Sequence, residues 1–241
     1  MGWLRQRWIQ LTGIVSWSRD KGRANLMSKF AATERGSAYD MLSAIESTER
    51  REMRRKYLEH ALDEARHARI FRSRALALGV PRAQAALVDV GYLGDHGIIA
   101  GQTLFERMGE IEFLAFVFDA ETRGLEQFNV YLASSRTDKL TREALTEIAK
   151  DEHFHMSYSR AALEKYGANE KDKILRKVVR RRYKEAWLRF GNIVGIFVSR
   201  IWLLLIYFFI VAPFRLLARK EKEGWHKSNQ LMSLESAQRQ A

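Results

Sequence analysis

Apolar residues recur at the three-to-four-residue spacing of an amphipathic helix along two stretches of the chain. The first stretch has its apolar face at Leu26, Phe30, Glu34, Ala38, Met41 and Ile45. The second has it at Leu114, Val117, Glu121, Gly124 and Phe128. Each pattern predicts a helix that packs on a core. Because one position of each face is a glutamate, Glu34 and Glu121 are predicted to point into the protein.

Two further helices are predicted by an internal repeat. Residues 63–79, DEARHARIFRSRALALG, align without a gap with residues 151–167, DEHFHMSYSRAALEKYG. Each copy ends in a glycine, Gly79 or Gly167, which is typical of a helix C-terminal cap. Within each copy a glutamate precedes a histidine by three residues, and this spacing places both on one helical face. The two pairs are Glu64 with His67 and Glu152 with His155.

The composition favours an all-α fold and limits the chemistry. Two prolines and fifteen glycines in 241 residues leave long helices uninterrupted, whereas an all-β chain needs more turn residues. The absence of cysteine excludes disulfides, thiolate metal sites and cysteine nucleophiles. A buried glutamate is costly alone, but four carboxylates around two divalent cations are neutralised. Oxygen and nitrogen donors without sulfur suit iron or manganese.

Both ends of the chain differ in character from its middle. All six tryptophans lie outside residues 18–186, and tryptophan favours the membrane interface. Residues 1–22 are predicted to form an amphipathic interfacial helix, because arginines accompany an apolar helical face in this segment. That face consists of Leu4, Trp8, Leu11 and Val15. The alternative is that it docks on the protein's own core.

A strongly basic segment precedes the least polar part of the chain. Residues 171–189 hold nine basic and two acidic residues, which is over half of the net charge of +12, and this indicates an anionic partner. Residues 192–214 contain Arg200 as their only charge. Either this segment crosses a bilayer, or residues 201–214 dip in and return at Pro213. The third interpretation is a buried core helix of a soluble protein.

Residues 169–223 are therefore predicted to be a basic helix followed by a membrane-associated apolar segment, and residues 224–241 a polar tail. Because basic residues lie on both sides of the apolar segment, both of its ends can face the cytoplasm. The expected location is the cytoplasmic face of the inner or plasma membrane. Membrane lipids are the expected anionic partner. Nucleic acid is not expected, since the basic segment adjoins an apolar one.

These glutamates and histidines resemble the ligand set of the ferritin-like di-iron carboxylate proteins, in which a four-helix bundle supplies Glu, Glu-x-x-His, Glu and Glu-x-x-His. The resemblance covers residues 23–168, which it implies to be a ferritin-like di-metal four-helix bundle. It also implies two bound iron ions, with manganese as an alternative in one or both positions. The implied ligands are Glu34, Glu64, His67, Glu121, Glu152 and His155, with Glu64 and Glu152 as the expected bridges.

The first copy of the repeat carries a further likeness. Its segment from Asp63 to His67 is similar to the D-E-x-R-H element of oxygen-activating members of this family, whereas the second copy has Phe154 in place of the arginine. A ligating histidine needs its other ring N–H held by a carboxylate. Asp63 and Asp151 are the candidates, expected to act across the bundle, and Arg66 is expected beside them.

The resemblance implies a monooxygenase, hydroxylase or desaturase that uses two ferrous ions and dioxygen. Electrons would come from an external reductase or ferredoxin, because the chain has no dinucleotide-binding fingerprint. A membrane tether indicates a lipid or lipophilic substrate. Two other functions fit the same sequence: a membrane-bound ferroxidase or peroxidase of rubrerythrin type, and a metal-free structural or nucleic-acid-binding protein. A homo-oligomer also fits.

Overall fold

The computed structural model describes residues 17, 19–81 and 103–218, and no strand occurs among them. Their elements, in chain order, are α1 (Asp20–Ser47), α2 (Arg51–Ala77), α3 (Leu104–Met108), α4 (Glu110–Ala133), α5 (Lys139–Gly167), a 3₁₀ turn (Ala168–Glu170), α6 (Lys171–Ile206), a π-helical turn (Tyr207–Val211) and α7 (Ala212–Ala218). The prediction of an all-α protein is confirmed. The chain divides into two compact units, Met1–Arg181 and Arg182–Ala241.

Among the described residues of the first unit, four long helices form two antiparallel hairpins. Only residues 48–50 separate α1 from α2, and only residues 134–138 separate α4 from α5, so each pair runs back along itself. The hairpins meet where α2 packs on α5. Near the start of α5, Arg74 donates hydrogen bonds to Asp138 at 2.5 Å and to Thr141 at 2.7 Å. Asp138 also caps α5, because it accepts the backbone N–H of Thr141 at 3.0 Å.

Two clusters of buried apolar side chains fill the part of the first unit that the structure describes. The first apolar cluster includes Met41, Tyr57, Phe113, Leu114 and Leu163. The second apolar cluster includes Trp17, Met27, Phe71, Phe128 and Leu145. On α2, Ala61 belongs to the first cluster and Phe71 to the second. The residues of the predicted site lie between the two clusters along each helix.

The N-terminal boundary of the first unit differs from the expected one. Trp17 is 1% exposed, stacks on Tyr131 with ring centroids 3.9 Å apart, and donates its indole N–H to Thr137 at 2.8 Å. Helix α1 begins at Asp20. The described part of the predicted interfacial helix, residues 1–22, therefore belongs to the core-forming unit, because the tryptophan docks inward. The remainder of that prediction lies outside the described residues.

The two glycines that end the repeat copies adopt different conformations. Gly79 has a φ of +93°, and the next N–H, of Val80, bonds to the Ala75 carbonyl at 3.0 Å, so the cap predicted there is confirmed. Gly167 has a φ of −81°, and the chain continues through the 3₁₀ turn into α6. Helix α5 therefore ends at Gly167 as predicted, but the glycine does not form a left-handed cap, and the positive φ of 41° belongs to Ala168. A Cβ at Gly167 would lie 3.3 Å from Leu163 Cδ1, so close packing explains this glycine.

The C-terminal boundary of the first unit also differs from the predicted one. Ile174, Leu175 and Val178 pack on the first apolar cluster. The first turns of the basic segment therefore belong to the first unit, which ends at Arg181 rather than before residue 169. The apolar stripe of these turns explains the difference, since it buries one face of an otherwise basic helix.

The second unit contains the apolar helical segment. Every described side chain from Trp187 to Val211 is exposed, which does not fit a buried core helix. One helical run ending at Arg215 is long and apolar enough to cross a membrane, by length and composition. Residues 219–223 of the predicted segment and the tail at 224–241 lie outside the described part of the chain.

The apolar segment does not turn back at Pro213. After the π-helical turn, α7 continues through Pro213 to Ala218, so the re-entrant alternative is not observed. In a regular α-helix a proline ring clashes with the carbonyl four residues earlier, which here belongs to Phe209. The wider π-helical turn contains Phe209 and relieves this clash, so the helix continues.

Candidate metal centre

The six predicted ligands converge inside the first unit. Helix α1 supplies Glu34, α4 supplies Glu121, and α2 and α5 each supply a glutamate–histidine pair. Among the described residues, two groups of four side chains can each offer ligand atoms that lie within 4.8 Å of one another. The first group is Glu34, Glu64, His67 and Glu152, and the second group is His60, Glu64, Glu121 and His155. Glu64 belongs to both groups.

Glu64 and Glu152 each face both histidines of the predicted site. Glu64 Oε1 lies 3.8 Å from Nδ1 of His67 and 3.5 Å from Nδ1 of His155. Glu152 places Oε1 3.2 Å from Nδ1 of His67 and Oε2 3.8 Å from Nδ1 of His155. Glu64 belongs to both groups and Glu152 to the first only, but each of the two carboxylates faces both His67 and His155, as a bridging ligand would.

The cluster is shielded from solvent. Glu64 is 1% exposed and Glu152 2% exposed, and His67 and His155 are fully buried. Glu34 is only partly buried. An unpaired carboxylate at such depth costs on the order of several kcal/mol. The cluster therefore requires compensating positive charge.

In the absence of cations, protons supply that charge. Burial and two neighbouring carboxylates raise the pKa of Glu64 well above its usual range. Burial and the Glu152 carboxylate raise the pKa of Glu121 to about 7. Burial opposes the protonation of His155, but Asp63 and Glu152 outweigh it and raise the His155 pKa to about 10. Divalent cations can replace such protons when they bind.

Each histidine of the two pairs is oriented from the opposite helix. Nε2–H of His67, on α2, donates to Asp151 on α5 at 3.0 Å. Nε2–H of His155, on α5, donates to Asp63 on α2 at 3.2 Å. The structure thus places both aspartates across the helix pair from the histidine that they hold. This leaves Nδ1 of each ring directed at the glutamates.

One arginine joins both aspartates. Nη2 of Arg66 donates to Asp151 at 2.6 Å and to Asp63 at 3.2 Å, while Nη1 donates to Glu147 at 2.7 Å. The hydrogen bonds from His155 and Arg66 lower the pKa of Asp63 to about 2. Asp63 is therefore a carboxylate that can hold the imidazole N–H of His155.

Phe154 occupies the position that corresponds to Arg66 in the second copy of the repeat. Nζ of Lys56 lies 4.6 Å from its ring centroid, and its ring contacts that of Tyr158 with centroids 5.7 Å apart. A second arginine is not required here, because Arg66 already reaches both Asp63 and Asp151.

Three buried atoms of the cluster make no hydrogen bond to any described residue: Nδ1 of His67, Nδ1 of His155 and Oε1 of Glu152. A buried polar atom without a partner is costly and requires an explanation. Nε2 of each histidine is already hydrogen-bonded to an aspartate. The two Nδ1 atoms and the Glu152 oxygen are therefore free to donate electron pairs to a cation. Nitrogen and carboxylate donors without sulfur fit iron or manganese. The residues thus fit two divalent cations.

His60 is the member of the two groups that sequence reasoning missed. It is fully buried, and its Nε2 lies 3.2 Å from Oε1 of both Glu64 and Glu121. Its spacing of four residues from Glu64 on one helical face was an available signal. His60 lies three residues before the first copy of the repeat, and the residue at the same distance before the second copy is Ile148, so the repeat did not draw attention to this histidine. Burial and His155 lower the pKa of His60 to about 4, so its ring is neutral near pH 7.

Tyr158 contacts the outer side of His60. Its hydroxyl lies 2.7 Å from Nδ1 of His60, and burial raises the pKa of Tyr158 well above its ordinary value, so the phenol keeps its proton. The geometry therefore presents two adjacent groups of nitrogen and oxygen donors in a buried layer.

Comparisons with protein-family models, with curated proteins and with solved structures give no match for this chain.

Proposed function

We propose that this chain is a membrane-associated di-iron oxidoreductase that activates dioxygen to hydroxylate, desaturate or otherwise oxidise a lipid or lipophilic substrate. Its first unit would then be a ferritin-like four-helix bundle. One observation carries the proposal: two four-residue groups share Glu64 at the level where His67 and His155 each have a buried Nδ1 without a hydrogen bond.

The proposed ligands divide between two adjacent positions. Glu34 and Glu121 would each serve one position, and Glu64 and Glu152 would span both. Two ferrous ions bound there would supply electrons and open coordination positions for the reduction of dioxygen. An external reductase or ferredoxin would restore the electrons, and manganese in one or both positions fits the same donors.

The residues around the ligands orient them and exclude water. Asp63 and Asp151 hold Nε2–H of the two histidines, which keeps each Nδ1 directed at the glutamates. The apolar clusters that contain Phe113 and Phe71 lie on either side of this layer. A dry site strengthens the interaction of the carboxylates with bound cations.

The second unit supports the membrane part of the proposal. Its large aromatic and aliphatic side chains are exposed from Trp187 to Phe214, whereas soluble monomers rarely expose contiguous apolar patches larger than about 300–600 Å². Lipid chains would bury this surface, and anionic headgroups would neutralise the basic residues that precede it. A catalytic unit tethered in this way would meet lipophilic molecules at high local concentration.

The metal site is tested by metal content. The full chain in detergent is loaded anaerobically with ferrous iron, desalted and assayed by elemental mass spectrometry, beside the double variant Glu64→Ala, Glu152→Ala. A matched control replaces Glu59 and Glu143, which lie on the same two helices but outside both ligand groups, by alanine. We expect about two iron ions in the parent and the control and few in the site variant. Equal iron in all three proteins would refute the metal site.

The reaction class is tested on the loaded protein. Slow dioxygen consumption without an added substrate, accelerated by a lipid extract and an electron donor, is the expected result. Rapid turnover of free ferrous iron or of peroxide without any organic substrate would instead support the ferroxidase or peroxidase of rubrerythrin type.

Membrane association is tested by flotation of the full chain with vesicles that contain anionic lipid. In the variant Leu204→Arg, Phe208→Arg, each charge costs about 2.5–3.5 kcal/mol at the centre of a bilayer, so flotation should be lost. The control is Leu62→Arg, Leu140→Arg, which alters exposed leucines of the first unit. Salt-sensitive binding to duplex DNA without detergent, unchanged in the first variant, would favour the nucleic-acid-binding alternative.

A further inference from the structure

His60 lies between a phenol and the second group of ligands. Its Nδ1 is 2.7 Å from the Tyr158 hydroxyl, and its Nε2 is 3.2 Å from Oε1 of both Glu64 and Glu121. Its ring stacks on that of His155 with centroids 3.6 Å apart and planes 16° apart. Two imidazoles and two carboxylates therefore surround one position.

The first group has no counterpart of this histidine. The register of the repeat aligns Tyr158 with Ile70 and, when it is extended by three residues, His60 with Ile148. Ile148 is fully buried in the second apolar cluster. The first group consequently offers three carboxylates and one imidazole, whereas the second offers two carboxylates and two imidazoles. The two groups therefore differ in their number of imidazole donors, whereas the groups of a fully symmetric repeat would not differ.

We propose that His60 is a seventh metal ligand, binding through Nε2 the cation that Glu64, Glu121 and His155 hold, and that Tyr158 positions it by accepting Nδ1–H. This inference rests on the proposed di-metal site. A neutral imidazole adds a donor without adding negative charge, so the cation of the second group would have one more nitrogen donor than its neighbour at no added ligand charge. Tyr158 is a positioning residue, because it acts through His60.

The test uses cobalt(II) as a probe, bound anaerobically to the full chain in detergent and followed by visible absorption and by bound metal per chain. The parent should bind two cobalt ions with two distinguishable spectra. His60→Ala should retain the cobalt of the first group and lose tight binding of the other, and added imidazole should restore it by filling the space left by the side chain. Tyr158→Phe should weaken that second cobalt by about 10-fold, as loss of an outer hydrogen bond does.

Ile148→Ala is the matched control. It removes a buried side chain at the aligned position of α5, and we expect it to keep both cobalt spectra. If His60→Ala binds two cobalt ions with the parental spectra and affinities, His60 is only a hydrogen-bond donor to the glutamates and the inference is overturned while the di-metal site stands. If the parent binds no cobalt and no iron, both proposals fall together.

Discussion

Helices α2 and α5 carry the same Asp-Glu-x-x-His spacing, yet their surroundings differ. Three aligned pairs show the difference: His60 with Ile148, Arg66 with Phe154, and Ile70 with Tyr158. The shared residues make reciprocal contacts, since each helix supplies the aspartate that holds the other helix's histidine. The residues that differ make contacts that have no counterpart on the other helix.

The difference shows that the two copies of a repeat can keep the same glutamates and histidines while the residues around these side chains differ. Arg66 is required once, because one guanidinium reaches both Asp63 and Asp151. The second copy therefore does not need an arginine at this position, and its Phe154 packs against Lys56 instead. A side chain between the two helices, such as Arg66, can contact both aspartates, so one copy is enough. An aspartate that orients a single histidine is needed in each copy.

The largest expected contrast between the two helices lies in packing, at the aligned residues Phe71 and Ser159, both fully buried. Phe71 packs in the second apolar cluster, and Ser159 donates to the His155 carbonyl at 2.7 Å. Phe71→Ala should lower the free energy of unfolding by about 3–5 kcal/mol, and Ser159→Ala by about 1 kcal/mol. Denaturation of the full chain in detergent, followed by circular dichroism, measures both. Equal losses would mean that the two helices pack alike.

The reciprocal contacts predict equal effects on the two helices. Asp63→Ala and Asp151→Ala should each weaken cation binding by about 10- to 100-fold, because a histidine loses the carboxylate that orients its ring. Chelator competition measures the affinities. The control Glu147→Ala alters an exposed carboxylate that contacts Arg66 but neither histidine, and it should have little effect. A large effect from only one aspartate would contradict the reciprocal arrangement.

The smallest effect is expected at the position where the two copies differ in charge. Arg66→Ala should weaken cation binding by less than about 10-fold, since the guanidinium acts on the ligands only through the aspartates. Phe154→Arg alone should leave the affinity unchanged, and adding it to Arg66→Ala should restore part of the loss. The same chelator competition checks this. No restoration would show that only α2 can place an arginine between the aspartates.

Most of the helical framework was predictable, and its boundaries were less so. The apolar spacing around Glu34 and Glu121 predicts α1 and α4, because helical periodicity is a property of consecutive residues. The inward docking of Trp17 depends on Tyr131 and Thr137, which lie far away in sequence. Gly167 ends α5 as its position in the repeat predicts, but it has a negative φ and packs closely against Leu163 instead of forming a left-handed cap.

In the candidate site, too, the features that depend on neighbouring residues could be predicted, and those that depend on other helices could not. Its six predicted ligands were found from spacing, because a glutamate on an apolar face and a histidine three residues after a glutamate are local signals. His60 shares its helical face with Glu64, but histidine and glutamate at such spacing also occur on solvated faces. Only its burial beside Glu121 and Tyr158 distinguishes it.

By itself, the sequence determined the helical class, the inward direction of Glu34 and Glu121, the shared face of each glutamate–histidine pair, and the apolar character of residues 192–214, because each of these depends on neighbouring residues along one helix. The tertiary structure alone decided which aspartate holds which histidine, that Arg66 serves both, and that His60 joins the second group. These contacts depend on the packing of α2 on α5, and the spacing within one helix does not specify the rotation and offset at which two helices meet.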